Sequence, residues 1–293
     1  MSYLNKFTDK KLISPPSFLR NNLVMEVITG SRAYGCNNEE SDFDIAGIGT
    51  PTKEMIFPSF HGYLEGFDKD IPKFEQYRTD NKIQFADKEY DLTVFSLIKF
   101  FRLAANGTPN CVELLFVPLN CITYNTNAGS LLRDNRHIFL HKDMWNNYTA
   151  YARSQIHKMA SNKREGKRKE LYEKYSFDVK FAYNLVRLIS QIEQILTVED
   201  LDLQKHKEYM KSIRRGEVKE EEIRNWFSEK EKTLEQAYRE SKLPQLSDEV
   251  KIKNLLLNII EIQYGNISNC ITALDKESTA LQEIRQILGK AGY

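Results

Sequence analysis

The segment from Gly30 to Ile48, GSRAYGCNNEESDFDIAGI, combines residue types that can bind phosphate. Gly30 and Ser31 follow an apolar run and precede a short predicted helix. A glycine lets the backbone approach an anion closely, and the free N–H groups at a helix N-terminus can donate to phosphate oxygens. The Ser31 hydroxyl adds another donor. The Gly-Ser pair therefore predicts a cradle for a phosphate group.

Asp42 and Asp44 form an Asp-x-Asp pair shortly after this cradle. Residues i and i+2 of a strand point to the same face, so the two carboxylates converge while Phe43 points to a core. Converging carboxylates repel each other unless a cation lies between them. Oxygen ligands favour Mg²⁺, or Mn²⁺ in its place, and these ions also bind phosphate oxygens. We expect two such ions here, with a nucleoside triphosphate.

Two-metal phosphoryl transfer generally uses a further carboxylate. Our candidate is Asp91, in the strand-like run EYDLT, and Glu89 on the same face of that strand is the alternative. A GSxxxG turn or an Asp-x-Asp pair alone is common in structural turns and strand ends. Their order here, with a later aspartate on a strand, favours a triphosphate site.

The elements that must position these residues lie mainly before residue 140. Apolar and β-branched runs predict strands at Leu23–Thr29 and Phe43–Ile48. Residues 82–93 predict one bent strand or a hairpin around Asp87. A dense apolar pattern predicts a helix over Val94–Ala105. Alternating strands and helices indicate an α/β unit.

The rest of the chain has the 3.6-residue apolar period of helices. The expected helices are Phe177–Leu196, Val218–Ser241, Asp248 to about Leu274 with Ser247 as its cap, and Ser278–Leu288. We therefore expect a catalytic domain over residues 1–140 and a helical domain over residues 141–293.

Composition excludes several function classes. The 293 residues include 42 Lys and Arg and 41 Asp and Glu, for a formal charge of +1, which excludes a globally basic nucleic-acid coat and an acidic tail. No apolar run approaches the roughly 18 residues that cross a bilayer. We also expect no signal peptide, four reduced cysteines and a cytoplasmic location.

The motif GSRAYG followed by SDFD resembles the nucleotidyltransferase superfamily that shares the DNA polymerase β palm. Its signature is a strand, Gly-Ser, a short helix and an Asp-x-Asp pair on the next strand. A closer resemblance is to the predicted nucleotidyltransferases of the RNA-repair-pathway DNA polymerase β type, found in bacteria and tailed phages. Three later stretches are similar to segments of that group: Asn106–Phe116, Tyr175–Leu188 and Ile213–Ile223.

This resemblance implies a fold and a reaction. The fold is an α/β (α+β) palm with a small mixed sheet, followed by an all-helical C-terminal region that walls the cleft. Gly30 and Ser31 become the triphosphate-binding pair, and Asp42, Asp44 and Asp91 become the catalytic metal ligands. An acceptor hydroxyl would attack the α-phosphate of a nucleoside triphosphate, with ATP favoured, and pyrophosphate would leave.

Two residues beside the cradle are further nucleotide-binding candidates. Arg32 could clamp a phosphate, and Tyr34 could stack on a base or ribose. The alternatives are a surface salt bridge for Arg32 and core packing for Tyr34.

Other candidates lie further along the chain. Glu113 could support the metal site or simply favour a helix N-terminus. Asp178 could reach the substrate or cap a helix, and Lys180 could neutralise phosphate charge or remain solvated. For Arg187, a surface position on an amphipathic helix is the favoured expectation.

The acceptor is the least determined part of the sequence prediction. A basic cluster could track an RNA backbone, although charge runs are usually solvated surface. Its members are Lys163, Arg164, Lys167, Arg168 and Lys169. RNA, including tRNA, is the expected acceptor. The alternatives are a protein adenylyltransferase or toxin-type enzyme, and a non-catalytic nucleotide- or RNA-binding protein on the same palm.

Overall fold

A mixed β-sheet forms the centre of the N-terminal half. The computed structural model describes residues 1–39, 41–64, 73–160 and 172–265. The six strands are β1 Leu23–Ile28, β2 Phe43–Gly49, β3 Gln76–Arg78, β4 Ile83–Phe85, β5 Lys88–Ser96 and β6 Ile122–Asn125. Their order is β3-β5-β2-β1-β6, with β4 also paired to β5. The β2–β5 pair is parallel and the other pairs are antiparallel.

The β4–β5 hairpin explains the ambiguous pattern of residues 82–93. Ala86 and Asp87 connect the strands, and both have left-handed backbone conformations, with φ of 48° and 56°. Two consecutive left-handed residues match the twist of a tight hairpin. The hairpin alternative is therefore correct.

The helices of this half surround the sheet. They are α1 Tyr3–Asp9, α2 Leu19–Asn22, α3 Gly30–Ala33, α4 Lys53–Ile56, α5 Leu97–Ala105, α6 Pro109–Phe116 and α7 Asn127–Asp134. Short 3₁₀ turns lie at Pro58–His61, Leu119–Cys121 and Arg136–Phe139. The expected start of α5 at Val94 was wrong, because Val94 to Ser96 continue β5 in pairing with β2. Ser96 then caps the helix, and its hydroxyl accepts from the Lys99 N–H at 3.1 Å.

Helices make up the described part of the second half. They are α8 Met144–Ala160, α9 Val179–Val198, α10 Lys207–Arg214, α11 Glu220–Glu240 and α12 Glu249–Tyr264. The cap of α12 is Asp248 and not Ser247, since the Asp248 carboxylate accepts from the Lys251 N–H at 3.0 Å. The expected continuation of α12 to Leu274 and the helix over Ser278–Leu288 lie outside the described residues.

One large hydrophobic core joins the two halves. Val27 of β1, Phe100 of α5, Ile192 of α9 and Ile259 of α12 all belong to it. Helix α9 packs against α8, α10 and α11, while α12 returns to α5 and α7. The expected fold class, a small mixed sheet followed by a helical region, is confirmed. The domain boundary at residue 140 stays a prediction.

Asp44 lies on the face of the sheet that packs against the larger of two hydrophobic cores. Leu92 and Val94 of β5 belong to a second, smaller core, whereas Ala46 and Ile48 of β2 belong to the large one. Side chains alternate between faces along a strand, so Asp44 shares its face with Ala46 and Ile48. The helical half therefore covers the same face of the sheet that presents Asp44.

No helix in the described ranges is both long and apolar enough to cross a membrane.

Candidate active site

Two of the predicted acids lie side by side. Asp44 of β2 and Asp91 of β5 are direct partners in the parallel strand register. Asp42 precedes β2 by one residue. The β2–β5 pairing thus brings together aspartates that are 47 residues apart in sequence. Glu89 lies two residues before Asp91 and is not the partner of Asp44, so the geometry favours Asp91 over Glu89.

The electrostatic surroundings of Asp44 are those of a crowded acid. Neighbouring protein displaces water and raises its pKa, and the negative charges of Asp91 and Asp42 raise it further. The positive charges of Lys180 and Lys82 oppose this effect. Lys180, at the start of α9, is therefore one of the positive charges that act on Asp44.

Two cations that the sequence analysis did not select form salt bridges with the acids. The Lys82 ammonium donates to Asp42 and, at 2.7 Å, to Glu89. The Arg78 guanidinium donates to Asp91 at 3.4 Å. Both cations come from β3 and the short loop that leads to β4. Their sequence signal is weak because it depends on how β3 and β4 pair with β5.

The Gly-Ser turn lies directly against Asp44. Gly30 opens α3 with a left-handed φ of 62°, and a Cβ at this position would collide with Oδ2 of Asp44. A glycine is therefore required both by the backbone conformation and by the close approach. Ser31 is buried. Its backbone carbonyl accepts from the Cys36 N–H at 2.9 Å.

Arg32 connects this turn to the start of β2. Its guanidinium lies over the Phe43 ring, 3.5 Å from the ring centroid, and donates to the Ser41 carbonyl at 3.0 Å. Among the described residues, no carboxylate forms a salt bridge with Arg32, so the surface salt bridge that we considered does not occur there.

Tyr34, Glu113 and Arg187 form a buried cluster that differs from expectation. Their exposed fractions are 6%, 4% and 4%. The Tyr34 hydroxyl donates to Glu113 at 2.6 Å and accepts from Arg187 at 3.0 Å, and Arg187 also forms an ion pair with Glu113. The packing alternative for Tyr34 is therefore correct, and its ring is too buried to stack on a base. The expected surface position of Arg187 was wrong.

Burial dominates the chemistry of this cluster. It raises the pKa of Tyr34 to about 12, against the opposing positive charge of Arg187. Tyr34 therefore remains a neutral hydroxyl that can donate one hydrogen bond and accept another. Glu113 is the fifth residue of α6 and lies outside its first turn, so the expected support of a helix N-terminus does not apply, and its carboxylate pairs with Tyr34 and Arg187 instead.

Asp178 has the capping role that was one of its two alternatives. Its buried carboxylate accepts from the N–H groups of Lys180 at 2.9 Å and Phe181 at 3.4 Å. The Lys180 side chain is exposed, which leaves its ammonium accessible to a ligand. The five basic residues from Lys163 to Lys169 lie outside the described residues.

The carboxylates of Asp42, Asp44 and Asp91 partly fit a divalent metal site. Carboxylate oxygens are the donors that Mg²⁺ and Mn²⁺ prefer, and the repulsion between Asp44 and Asp91 is what a cation would relieve. However, in the described ranges no three His, Cys, Asp or Glu side chains are gathered closely enough to form a metal cluster. Lys82 holds Asp42 instead, so metal binding requires that Asp42 exchange this ammonium for the ion.

Known proteins provide an independent comparison. A 38.9 kDa uncharacterized protein from the nrdC–mobD intergenic region of Enterobacteria phage T4 is 28% identical over 137 residues, which are 46% of this chain. The chain spans only 38% of that relative. A nucleotidyltransferase-like protein from Exiguobacterium sibiricum matches 88% of this chain and 72% of its own, at 9% identity. Its TM-score of 0.29 is too low to support an argument.

The family comparison covers much more of the chain. The model of the RNA repair pathway DNA polymerase beta family matches residues 7–261, from α1 through most of α12. This range includes the Gly-Ser turn, the three aspartates and the buried cluster. The chain therefore belongs to the RNA repair pathway DNA polymerase beta family.

Proposed function

We propose that the protein is a metal-dependent nucleotidyltransferase. It moves a nucleoside monophosphate from a triphosphate, with ATP favoured, to an acceptor hydroxyl, and RNA is the preferred acceptor class. The observation that carries this proposal is the Asp44–Asp91 pair with the Gly30 turn packed against it. Phosphoryl transfer needs a backbone that a phosphate can approach closely and, beside it, paired carboxylates that can bind metal ions.

Each residue has a distinct role in this proposal. Gly30 and Ser31 bind the triphosphate, and the Lys180 ammonium offsets negative charge on its oxygens. Asp42, Asp44 and Asp91 would hold two Mg²⁺ or Mn²⁺ ions, which when bound supply charge stabilisation for the transferred phosphoryl group. The Asp91 carboxylate is the candidate acceptor for the proton of the attacking hydroxyl.

In this proposal, the order of the sheet supports one direction of entry for the acceptor. The phosphate turn follows β1, the acids lie on β2 and β5, and Arg78 lies on β3 beyond them. The attacking and leaving oxygens of phosphoryl transfer are roughly in line. In this proposal the acceptor therefore approaches from the side opposite the turn, where Arg78 and Lys82 can meet its negative charge.

A nucleic acid fits this side better than an uncharged small molecule does. The Arg78 and Lys82 side chains are 64% and 47% exposed. Exposed ion pairs contribute little stability, so Arg78 can exchange Asp91, and Lys82 can exchange Asp42 and Glu89, for a phosphate at low cost. The family description also names an RNA repair pathway. Protein adenylylation remains the second candidate for the acceptor.

The decisive experiment offers donors and acceptors separately. The full chain is incubated with each of the four labelled nucleoside triphosphates and Mg²⁺, with total tRNA or total cell protein as the acceptor. We expect label from ATP in the RNA fraction and release of pyrophosphate. Label in protein alone would replace RNA by protein as the acceptor. Triphosphate binding without transfer to either acceptor would favour the non-catalytic alternative.

A further inference from the structure

The buried Tyr34–Glu113–Arg187 cluster joins three separate parts of the molecule. Tyr34 directly follows α3, Glu113 belongs to α6, and Arg187 belongs to α9 of the helical half. The Arg187 guanidinium also lies over the Tyr34 ring, 4.9 Å from its centroid. A side chain from the helical half thus holds the segment that carries the phosphate turn.

Stability is a poor explanation for this arrangement. Desolvation of a buried ion pair often costs as much as its attraction returns, so apolar residues of similar volume are frequently no worse. The Arg187 Nε atom is buried and, among the described residues, has no hydrogen-bond partner. A cluster that remains partly unsatisfied is better explained by the geometry that it imposes.

Tyr34 connects the buried cluster to the Gly30–Ser31 turn. The Tyr34 N–H donates to the Gly30 carbonyl at 3.1 Å, which closes the turn. Gln204, which lies beyond α9, donates to the Ala33 carbonyl at 3.2 Å. The helical half therefore holds the turn at two points, one of which is a charged and directional anchor.

The same helix also reaches the acids. Lys180 and Arg187 are seven residues apart on α9, which is about two turns, so they lie on one stripe of the helix. Lys180 interacts with Asp44, and Arg187 with Tyr34. Helix α9 thus carries both Lys180, the positive charge near Asp44, and Arg187, which holds the segment of the Gly30–Ser31 turn.

We propose that Arg187 and Glu113 are positioning residues for nucleotide binding, acting through the Tyr34 hydroxyl. They hold the Gly30–Ser31 turn in the conformation that accepts a triphosphate beside Asp44. The effect on nucleotide binding rests on the proposed function. The effect on the turn itself does not.

Tyr34→Phe tests the inference with the smallest possible change, since it removes only the hydroxyl. Tyr148→Phe is the matched control, because the Tyr148 hydroxyl is fully buried in the same core and has no hydrogen-bond partner within the described ranges. Amide hydrogen exchange of residues 30–36 is measured without nucleotide. Calorimetry then measures the affinity for ATP with Ca²⁺, and thermal unfolding measures stability.

We expect exchange in the turn of Tyr34→Phe to be several-fold faster than in the parent, and ATP affinity to fall about fivefold to tenfold, the size of one lost hydrogen bond. The Tyr148→Phe control should change neither. Arg187→Met should weaken ATP binding further, and Arg187→Lys should recover part of the loss because it restores the charge without the planar guanidinium.

Two outcomes separate the possible failures. If Tyr34→Phe matches the control in turn exchange, or loses stability without faster exchange in the turn, the cluster is structural and the inference is overturned. If the parent binds no ATP, the proposed function fails, while the exchange data still decide whether the cluster holds the turn. Should Arg187→Met not fold, the Tyr34→Phe comparison remains decisive.

Discussion

At the residue scale, Asp44 is the acid on which the proposed chemistry depends most. Asp44→Asn should lower nucleotidyl transfer by at least about 100-fold, because it removes a proposed metal ligand, and a bound metal would supply charge stabilisation of several kcal/mol. The folded protein should be no less stable, since a crowded like charge beside Asp91 and Asp42 has gone.

Labelled-triphosphate transfer and thermal unfolding check this prediction together. Asp87→Asn is the control, an exposed residue of the β4–β5 turn with the same chemical change. Transfer by Asp44→Asn near the parent rate would exclude the metal assignment.

Gly30 offers a second test at the residue scale. Gly30→Ala should lose ATP binding, because the new methyl group pushes against Asp44 where the triphosphate must approach. The left-handed backbone alone should cost about 1–2 kcal/mol of stability. Gly30→Val should be more severe for the same reason.

The control for Gly30 separates strain from contact. Gly62 also has a left-handed φ, of 82°, but a Cβ there would meet nothing within 4 Å in the described ranges. Gly62→Ala should therefore show the strain without the loss of ATP affinity in calorimetry. Equal ATP affinity in both variants would place the phosphate cradle elsewhere.

At the element scale, a buried carboxylate attaches the first helix to the sheet. Glu26 of β1 is fully buried and accepts from the N–H groups of Tyr3 at 2.6 Å and Leu4 at 2.9 Å. The Thr123 hydroxyl donates to it at 2.7 Å. Burial outweighs these hydrogen bonds and raises the pKa of Glu26 above 4.5.

This attachment predicts a pH-dependent effect of Glu26→Gln. The variant should be destabilised by about 1–3 kcal/mol, because an amide NH₂ replaces an oxygen that accepts a backbone N–H. With a raised pKa, folded Glu26 retains a proton that the unfolded chain has lost. The advantage of the parent should thus be greatest below pH 4.5 and decline as pH rises through the folded pKa.

Urea unfolding of parent and variant across this pH range measures the difference. An advantage that instead grows with pH would mean that the folded protein prefers the ionised carboxylate of Glu26.

At the scale of the whole molecule, the shared core predicts that the two halves unfold together. Ile259→Ala in α12 should cost about 2–5 kcal/mol, because the side chain is fully buried in the core that also contains strand β1. Leu257→Ala, at a half-exposed position on the same helix, should cost less than about 0.5 kcal/mol.

Hydrogen exchange of the β1 amides in the two variants is the measurement. If Ile259→Ala leaves β1 protection unchanged, the halves are independent domains that meet near residue 140.

The proposed acceptor side also belongs to the scale of the whole molecule, because strand order brings β3, with Arg78, next to β5. If RNA enters over β3 and the β3–β4 loop, changing Arg78 and Lys82 to Ala should lower the slope of log affinity against log salt by about 0.7 per lost phosphate contact. Removal of the basic cluster from Lys163 to Lys169 should also lower the slope if that cluster tracks the backbone.

Filter binding of labelled tRNA with Mg²⁺ at several salt concentrations compares these variants. A double change of Arg215 and Lys251 to Ala is the control, since both are exposed cations that each form a salt bridge with one carboxylate in the described ranges. If the variant with Arg78 and Lys82 changed to Ala has the same salt slope as this control, the two residues do not contact the acceptor.

The amino-acid sequence by itself determined the local parts of this protein. Strands β1 and β2 and the apolar stripe of α9 follow from the spacing of apolar residues, which acts over a few residues. The same is true of Gly30, whose need for a left-handed backbone lies within its own turn.

Only the tertiary structure decided which distant residues meet. The parallel register of β2 and β5 selects Asp91 over Glu89 as the partner of Asp44, and strand pairing brings Lys82 to Asp42. The sequence left open whether Tyr34 and Glu113 bind a ligand or support the fold, and it favoured a surface position for Arg187. They become a buried anchor because three elements exclude water around them at once, and burial is a property of the assembled fold that no single segment encodes.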